Sequence, residues 1–503
     1  MTTKDIRLQS GFVVFAAKIS SVGTGLVFQF IVSHALVGRE YDIWFNLNDI
    51  NAYFVLLAGV LPFWAMRYVT RDKEGSVKTG IFANLIISAV AAVAYVLLIP
   101  SVMSALQVSM IYLPVYLLMA IQIVEIHSIA IMESCLQARI PQNVGYGLLV
   151  QQITKVIVGV VLIVVLKQLL LGAVVATIIG YAIQTFYYVK TFAVELKKRL
   201  CIGYIGEWLK GSLANIYSVI GNQIAAYIFI MLFTYVDTAR GIYGAAATIV
   251  NVITFSSYLS FALYPKLLAE KKMDDVASSM KMVLMFAVPL TVGAIALADS
   301  YITLLRPGAA GAGPVLMVLA LDSFVVVISG FYSSILYGVE TVDEGSKLSL
   351  RQLVKSRLFI SFSLPYLHSA IALPTAYYVL TNYAQKQPIQ AALYVSIINA
   401  VVRFLMFLIL VVVIRGMAKI HIPWKSISKY VFAAAVMGII LYVSPHPTTA
   451  SSTLLEAAVT LVETGIGGLI YLGVLMAIDK EARSLPRDII NEFRQKQQTS
   501  ADS

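Results

Sequence analysis

GFVVFAAKISSVGTGLVFQFIVSHALVGREYDIWFNLNDINAYFVLLAGVLPFWAMRYVTRDK, residues 11–73, sets the pattern for the whole chain. Two apolar runs, Gly11 to Val37 and Ile43 to Met66, flank the short polar stretch Gly38 to Asp42. Each run is long enough to cross a hydrocarbon core, which takes about 20 helical residues at ~1.5 Å each. The stretch therefore predicts a transmembrane hairpin of two helices joined by a tight turn.

A similar hairpin recurs later in the chain. An offset of about 199 residues aligns Ile43-Trp44 with Ile242-Tyr243, and Arg67 with Lys266. What recurs is mainly the plan of two apolar helices, a short turn and a basic exit. We interpret this pattern as an internal duplication, which is common in transporters.

Composition indicates a membrane protein. Of the 503 residues, 59% are hydrophobic and 13% are charged, and the mean hydropathy is +0.84. Soluble globular domains do not have such a composition. The sequence predicts an all-α, polytopic integral membrane protein with about fourteen transmembrane helices. The predicted spans are residues 10–37, 43–66, 79–100, 110–133, 147–166, 168–190, 211–234, 241–264, 281–300, 314–338, 357–381, 390–414, 427–444 and 454–478.

Basic residues gather in alternate connectors, which indicates the orientation. One set of connectors is rich in lysine and arginine, whereas the opposite set holds only Arg39, Lys167, Arg240, Arg306 and Lys386. The positive-inside rule then predicts a multi-pass protein of the cytoplasmic membrane with both termini cytoplasmic. The net charge of +11 is explained by topology and anionic membrane lipids, so no nucleic-acid partner is predicted.

The spans group into two sets of six, followed by two more. We predict an N-terminal six-helix bundle over residues 1–190 and a cytoplasmic amphipathic linker over 191–210. A C-terminal six-helix bundle then covers 211–415, two additional transmembrane helices cover 416–480, and a cytoplasmic tail covers 481–503.

This layout resembles the oligosaccharide and polysaccharide flippases of the multidrug/oligosaccharidyl-lipid/polysaccharide exporter superfamily. Gly38-Arg39-Glu40-Tyr41-Asp42-Ile43-Trp44 is similar to their Gly-x-x-x-Tyr-Gly-x-Trp/Phe turn, with one residue fewer before Tyr41 and Asp42 in place of glycine. Arg67 to Glu74, followed by Asn84-Leu85, looks like their basic exit from the second span. The likeness covers nearly the whole chain in layout and about 50 residues in motif.

The resemblance implies two bundles arranged as in multidrug (MATE) exporters, with a central cavity that opens to each side in turn. It also implies a polyprenyl-phosphate-linked or pyrophosphate-linked sugar as substrate. Such proteins are transporters, so we predict neither an enzyme nor a cofactor.

Three basic residues lie inside predicted spans: Lys18, Lys155 and Arg403. A flippase for an anionic headgroup needs cations that face a wet cavity. Arg403 is predicted to bind substrate because its planar fork matches phosphate oxygens, and an internal ion pair is the alternative. Lys18 is predicted to assist it, unless its long stem carries the charge to the cytoplasmic headgroups. Lys155 lies at about the depth of Glu125 and is predicted to form a structural ion pair with it.

Acidic residues inside spans are candidates for ion coupling. Asn46, Asp49 and Tyr53 share one helix face at i, i+3, i+7 spacing. This oxygen-rich face is predicted to hold a coupling proton or sodium ion, and Asp322 is a further candidate. The alternative in each case is a hydrogen-bonded contact between packed helices. The histidines lack metal-ligand spacing, so no metal site is predicted.

The sequence therefore favours a flippase that moves a polyprenyl-(pyro)phosphate-linked oligosaccharide across the membrane by alternating access. One alternative is a cation-coupled small-molecule exporter of the same superfamily. Another is a membrane enzyme that acts on lipid-linked glycans, although the predicted outer loops are short and nearly free of acids.

Overall fold

The computed structural model describes residues 20–21, 23–260, 274–306, 308–339, 357–416, 420–444, 453–480 and 482–483. Every regular element in these ranges is a helix, which confirms the predicted all-α class. Ten of the described helices are long and apolar enough to cross a membrane, or eleven if one bent pair is counted as a span. The protein is therefore a multi-pass membrane protein, and the count of fourteen spans stays a prediction.

Seven of the described helices precede the predicted linker. They are α1 (23–35), α2 (Arg39–Phe54), α3 (Val60–Thr70), α4 (Ser76–Ala105), α5 (Leu113–Arg139), α6 (Gln142–Gly159) and α7 (Leu169–Thr191). A π-helical turn, Val160–Val165, extends α6, and a very short turn at Lys167 leads into α7, as the sequence predicts.

Ten further helices are described after α7. They are α8 (Ile202–Gly211), α9 (Leu213–Tyr235), α10 (Ala239–Thr254), α11 (Asp274–Ala296), α12 (Ala298–Leu305), α13 (Gly313–Val339), α14 (Arg357–Asn382), α15 (Pro388–Arg415), α16 (Trp424–Val443) and α17 (Thr453–Ile478).

The second apolar run differs from the predicted continuous helix. The helix breaks at Val55, passes through the 3-10 turn Leu56–Gly59 and continues as α3 after a bend of 56°. Pro62 lies in the first turn of α3, where its missing N–H group removes no helical hydrogen bond.

The connector before α2 is also shorter than predicted, because the helix begins at Arg39, directly after Gly38 at φ +60°.

The helices α2 and α10 repeat one local plan. Each has 16 residues, and each bound of α10 lies 200 residues after that of α2. Each helix follows a residue with positive φ, Gly38 at +60° and Thr238 at +64°, and each runs into a 3-10 turn. The structural offset is thus one residue longer than the offset predicted from the sequence.

Helix packing brings these two repeated elements together. In the N-terminal part α4 packs on α5 and α6 on α7, and in the C-terminal part α9 packs on α14 and α13 on α15. The two parts meet where α2 packs against α9 and α10. The last two helices lie to the side, with α16 packed between α11 and α17.

One face of α4 shows what surrounds the bundle. Ile86, Val90, Val93 and Leu97 recur at helical spacing and are 50–72% exposed. A continuous apolar stripe of this kind faces water poorly, whereas it suits the acyl chains of a bilayer. The face of α4 that bears these residues is therefore the lipid-facing one.

The predicted linker contains the 3-10 turn Glu195–Lys197 and the short helix α8, which is docked on the N-terminal part. Trp208 of α8 is fully buried, and its ring lies 5.4 Å from that of Tyr68. The Tyr68 hydroxyl donates to Glu207. Aromatic packing and a hydrogen bond thus fix α8 to the end of α3.

A small ionic cluster holds the start of the linker. Glu195 accepts hydrogen bonds from Arg139 at the end of α5 and from Lys198. Burial alone would raise the pKa of Glu195, but the hydrogen bonds and charges of Lys198 and Arg139 outweigh burial and lower its pKa. Glu195 is therefore held in its charged form at neutral pH.

The close approach of α2 and α10 requires glycine at position 241. An ideal Cβ on Gly241 would lie 2.5 Å from Oδ1 of Asp42 and 2.9 Å from Cδ1 of Tyr41. We expect Gly241→Ala to lower the free energy of unfolding by about 1–3 kcal/mol, as overpacking does. Thermal unfolding in detergent measures the effect.

Gly465→Ala is the matched control, because nothing lies within 4 Å of an ideal Cβ at Gly465 of α17. Alanine favours a helix over glycine by about 1 kcal/mol, so this variant should be unchanged or more stable. Equal behaviour of the two variants would contradict the close contact at Gly241.

Candidate functional site

Asp42 joins the two parts of the protein. Its Oδ2 accepts a hydrogen bond from the amide of Thr238 at 2.6 Å, and its Oδ1 accepts one from the amide of Gly241 at 2.7 Å. These amides lie at the start of α10, where a helix has no internal acceptors and carries partial positive charge. A carboxylate in the first turn of α2 thus caps the start of α10.

Two further interactions surround this cap. Arg39, the first residue of α2, pairs with Asp237, which lies just before α10. Arg306 lies over the ring of Tyr41, with 4.7 Å between Cζ and the ring centroid. The cap, the ion pair and the cation–π contact all lie at the end of the bundle that the positive-inside rule assigns to the outer face.

A buried salt bridge lies deeper in the same contact. Nε and Nη2 of Arg240 donate to the two carboxylate oxygens of Asp49 at 2.6 and 2.7 Å. The rings of Phe45 and Phe229 lie 4.9 and 5.0 Å from Cζ of Arg240. Both charged side chains are about nine-tenths buried. Charges at such depth are stable only when they are paired with this geometry.

The predicted ion-coupling face of α2 contains Asp49 and Asn46, and both residues already have hydrogen-bond partners. Both oxygens of Asp49 are engaged by Arg240, and Oδ1 of Asn46 accepts a hydrogen bond from the Tyr116 hydroxyl at 2.7 Å. The two residues lie on one helix face but make separate contacts with different helices. Their geometry is that of the alternative interpretation, a polar contact between packed helices.

Arg403 lies on α15 and pairs with Asp322 of α13. Asp322 is 4% exposed, and its Oδ1 has no hydrogen-bond partner within the described ranges. The side chain of Arg403 is 35% exposed and therefore also reaches open space. The structure thus brings together two predicted site residues that the sequence analysis treated separately.

The open space beside Arg403 is a cavity of about 270 Å³ between α9, α13, α14 and α15, which we call the Arg403 cavity. His368 lines it, is 6% exposed, and has no partner for either ring nitrogen among the described residues. The other polar lining residues are Ser218, Asn222, Ser329, Ser333 and Ser361. The cavity therefore presents one cation and several hydroxyl groups, with the His368 ring in its wall, and this combination suits an oxyanion.

The predicted ion pair between Glu125 and Lys155 is not formed in the described structure. Nζ of Lys155 lies 4.8 Å from the centroid of the Phe28 ring, and Oε2 of Glu125 is buried without a hydrogen-bond partner there. Similar depth on neighbouring helices did not bring the two side chains together. The lysine uses an aromatic face as its partner instead.

Lys18 lies outside the described residues. Three members of the site were not predicted from the sequence: Asp42, Arg240 and His368. Arg240 and Asp42 were assigned to outer connectors. Both charges lie beside long apolar runs, where a charge needs a partner, and this position could have indicated their roles.

A mutation pair tests the buried salt bridge. We expect Asp49→Asn to lower the free energy of unfolding by about 3–5 kcal/mol, because it leaves the Arg240 charge buried and unpaired. Adding Arg240→Gln should recover part of the loss. Thermal unfolding of both single variants and the double variant measures the coupling.

Asp237→Asn is the control, because it breaks the neighbouring Arg39 pair, whose side chains are 40% and 75% exposed. Its cost should be at most about 1 kcal/mol. A loss for Asp49→Asn as small as this would contradict a buried pair.

Comparison with solved structures places this geometry in a known fold. The lipid II flippase MurJ in an inward closed conformation has 17% sequence identity and a TM-score of 0.60, and the match covers 95% of this chain and 100% of that one. A multidrug resistance MATE family transporter of the MOP superfamily, in an inward-facing conformation, has 14% identity and a TM-score of 0.55 over 81% and 98% of the two chains.

A MOP superfamily transporter from Pyrococcus furiosus matches with 14% identity and a TM-score of 0.53, over 83% of this chain and 100% of that one. No protein-family model matches the sequence, and no curated protein matches it. The protein therefore has the fold of the multidrug/oligosaccharidyl-lipid/polysaccharide (MOP) exporter superfamily, as its sequence resemblance implied.

Proposed function

We propose that the protein is a flippase that moves a polyprenyl-(pyro)phosphate-linked oligosaccharide from the cytoplasmic to the outer leaflet, for polysaccharide or glycoconjugate synthesis. The two halves move relative to each other about the contact between α2 and α10. The lipid tail stays in the bilayer while the headgroup passes through the protein. The partners are this lipid-linked substrate, the membrane lipids and a coupling ion, either a proton or sodium.

One observation carries the proposal: Arg403 presents its guanidinium group to a cavity lined by hydroxyl groups. A multidrug exporter for cationic drugs has no use for a fixed cation there, whereas a phosphate headgroup needs one. The guanidinium fork binds two phosphate oxygens at once. Asp322 neutralises Arg403 when no anion is bound, so the charge is tolerated at membrane depth.

The size of the cavity limits which part of the substrate enters it. A volume of about 270 Å³ is several times the ~30 Å³ that one water occupies in the liquid. It suits a phosphate or diphosphate group, whereas an oligosaccharide must lie outside it. In this proposal Lys18, which the sequence predicts to assist Arg403, supplies a second contact to the headgroup.

The length of the structural match also supports a flippase. The match to the lipid II flippase covers 95% of this chain, against 83% for the transporter from Pyrococcus furiosus. This difference is in keeping with two six-helix bundles followed by two C-terminal helices, α16 and α17. At 14–17% identity the match supports the architecture only, so the substrate is proposed from the chemistry of the site.

Replacing Arg403 tests the proposal. We expect Arg403→Ala to lower transport at least about tenfold, because one charge-assisted phosphate contact is lost. Purified protein in liposomes with a fluorescent polyprenyl-linked sugar measures movement between leaflets.

Arg415→Ala is the matched control, since Arg415 lies on the same helix and is exposed. Its transport should equal that of the unmodified protein. Full activity of Arg403→Ala would refute the assigned role. The same liposomes separate the alternatives, because drug efflux would indicate the small-molecule exporter and a new glycosidic bond would indicate the enzyme.

One observation favours the second candidate, a cation-coupled exporter: a buried carboxylate with a free oxygen adjoins the cavity. Oδ1 of Asp322 has no hydrogen-bond partner in the described part of the chain, whereas both oxygens of Asp49 are engaged. Of the three coupling candidates, Asp322 is therefore better placed to take up a proton or sodium ion than Asp49 or Asn46. Such coupling also serves a flippase, because a cation on Asp322 frees Arg403 for the substrate.

Ion coupling predicts a specific loss. Asp322→Asn should abolish the response of transport to an imposed proton or sodium gradient, because the amide carries no charge for the ion to balance. Transport in liposomes with and without each gradient measures this response. Asp49→Asn, assayed at a temperature where it stays folded, is the control and should keep the response. Loss of the response in Asp49→Asn alone would assign coupling to α2.

A further inference from the structure

A second arginine-lined cavity lies at the contact between the two parts of the protein. Its volume is about 480 Å³, and Arg306 and His34 line it; we call it the Arg306 cavity. Its other polar lining residues are Ser33 and Thr238. The cavity joins the end of α1, the start of α10, the loop after α12 and the start of α15.

Arg306 is a buried cation without a carboxylate partner. The residue is 9% exposed, and no Asp or Glu lies within salt-bridge distance of it in the ranges that the structure describes. The one side-chain hydrogen bond that it makes to a described residue is a long contact of 3.4 Å from Nη2 to the carbonyl of Gly38. A guanidinium group has five N–H donors, so most of its capacity is unused.

Asp42 interacts electrostatically with Arg306, but its carboxylate oxygens are already used in hydrogen bonds to other groups. Both its oxygens accept amide hydrogen bonds from the start of α10. The Tyr41 ring under the guanidinium stabilises the charge without using its N–H groups. Arg306 is therefore held in position with its donors free, which is the arrangement of an anion site before the anion binds.

His34 adds a second group to the lining of the cavity. Its Nδ1 lies 2.8 Å from the carbonyl oxygen of Phe30, so this nitrogen carries a hydrogen and donates. Its Nε2 is buried with no hydrogen-bond partner among the described residues. Once the ring turns toward the cavity, that nitrogen accepts from a protonated phosphate oxygen, or donates to an oxyanion when the ring is charged.

We propose that the Arg306 cavity is a second anion-binding site, for a phosphate-bearing group. By the predicted topology it lies at the outer face, so a headgroup that leaves the Arg403 cavity meets it before release. That role in release rests on the proposed function, whereas the binding of phosphate does not. The ligand is either a lipid-linked phosphate or a free phosphate, which share the same chemistry.

The test uses the full chain in detergent with Arg403→Gln as background, so that the Arg403 cavity does not contribute. Inorganic phosphate, pyrophosphate and a short polyprenyl phosphate are titrated separately by calorimetry. We expect binding in this background, and a loss of affinity of at least about tenfold on adding Arg306→Gln. Lys386→Gln, which removes an exposed cation of the same predicted face, should leave binding unchanged.

A second substitution guards against unfolding of the arginine variant. His34→Phe keeps an aromatic ring at this position, where the ring centroid lies 4.1 Å from that of Phe30, but it removes Nε2. This variant should therefore fold, and it should bind phosphate more weakly than the background protein. Loss of binding for all three probes identifies a general phosphate site, and loss for polyprenyl phosphate alone identifies a lipid headgroup site. Binding that neither substitution weakens overturns the inference. Full transport by Arg403→Gln would refute the proposed function and leave this site intact.

Discussion

The helix start of α10 is capped by a carboxylate from α2, and the two parts of the protein meet at this point. Asp42 satisfies amide groups at the start of α10 that have no acceptors within the helix. The cap requires backbones that approach closely, which explains Gly241 opposite Asp42 and Gly244 opposite Phe45. Because α2 and α10 repeat one local plan, the contact is made between equivalent elements of the two halves.

Arg240, Arg403 and Arg306 differ in how fully they are paired, and their proposed roles follow from that difference. Arg240 makes two hydrogen bonds to Asp49 between aromatic rings, so its role is structural. Arg403 has one carboxylate partner and also faces a cavity, so a ligand competes with Asp322 for it. Arg306 has no carboxylate partner in the described structure and lines the larger cavity. Partial pairing keeps a buried cation tolerable and available.

Hydropathy predicted the all-α class and several of the membrane helices well, because the transfer of long apolar runs into lipid decides where helices form. The predicted spans 110–133 and 390–414 correspond to Leu113–Arg139 and Pro388–Arg415 in the structure. The break at Val55 was missed, since neither proline nor glycine occupies position 55 itself. The superfamily fold was recognised from the turn around Gly38 and from the layout of the spans.

Partners of buried charges were harder to predict than the spans. Asp49 and Arg240 are 191 residues apart, and Asp322 and Arg403 are 81 apart. Depth along a helix, which the sequence gives through helical rise, constrains only one of the three coordinates of a side chain. Depth alone placed Glu125 beside Lys155, whereas the structure turns the lysine to Phe28.

The central claim is that a phosphate headgroup passes through the cavity beside Arg403. Photo-crosslinking with a polyprenyl phosphate that carries its reactive group next to the phosphate tests this claim most directly. Mass spectrometry of the adducts should place them on the cavity lining, around His368 of α14 and Phe407 of α15. Adducts confined to the lipid-facing side of α4, around Val90 and Val93, would contradict it.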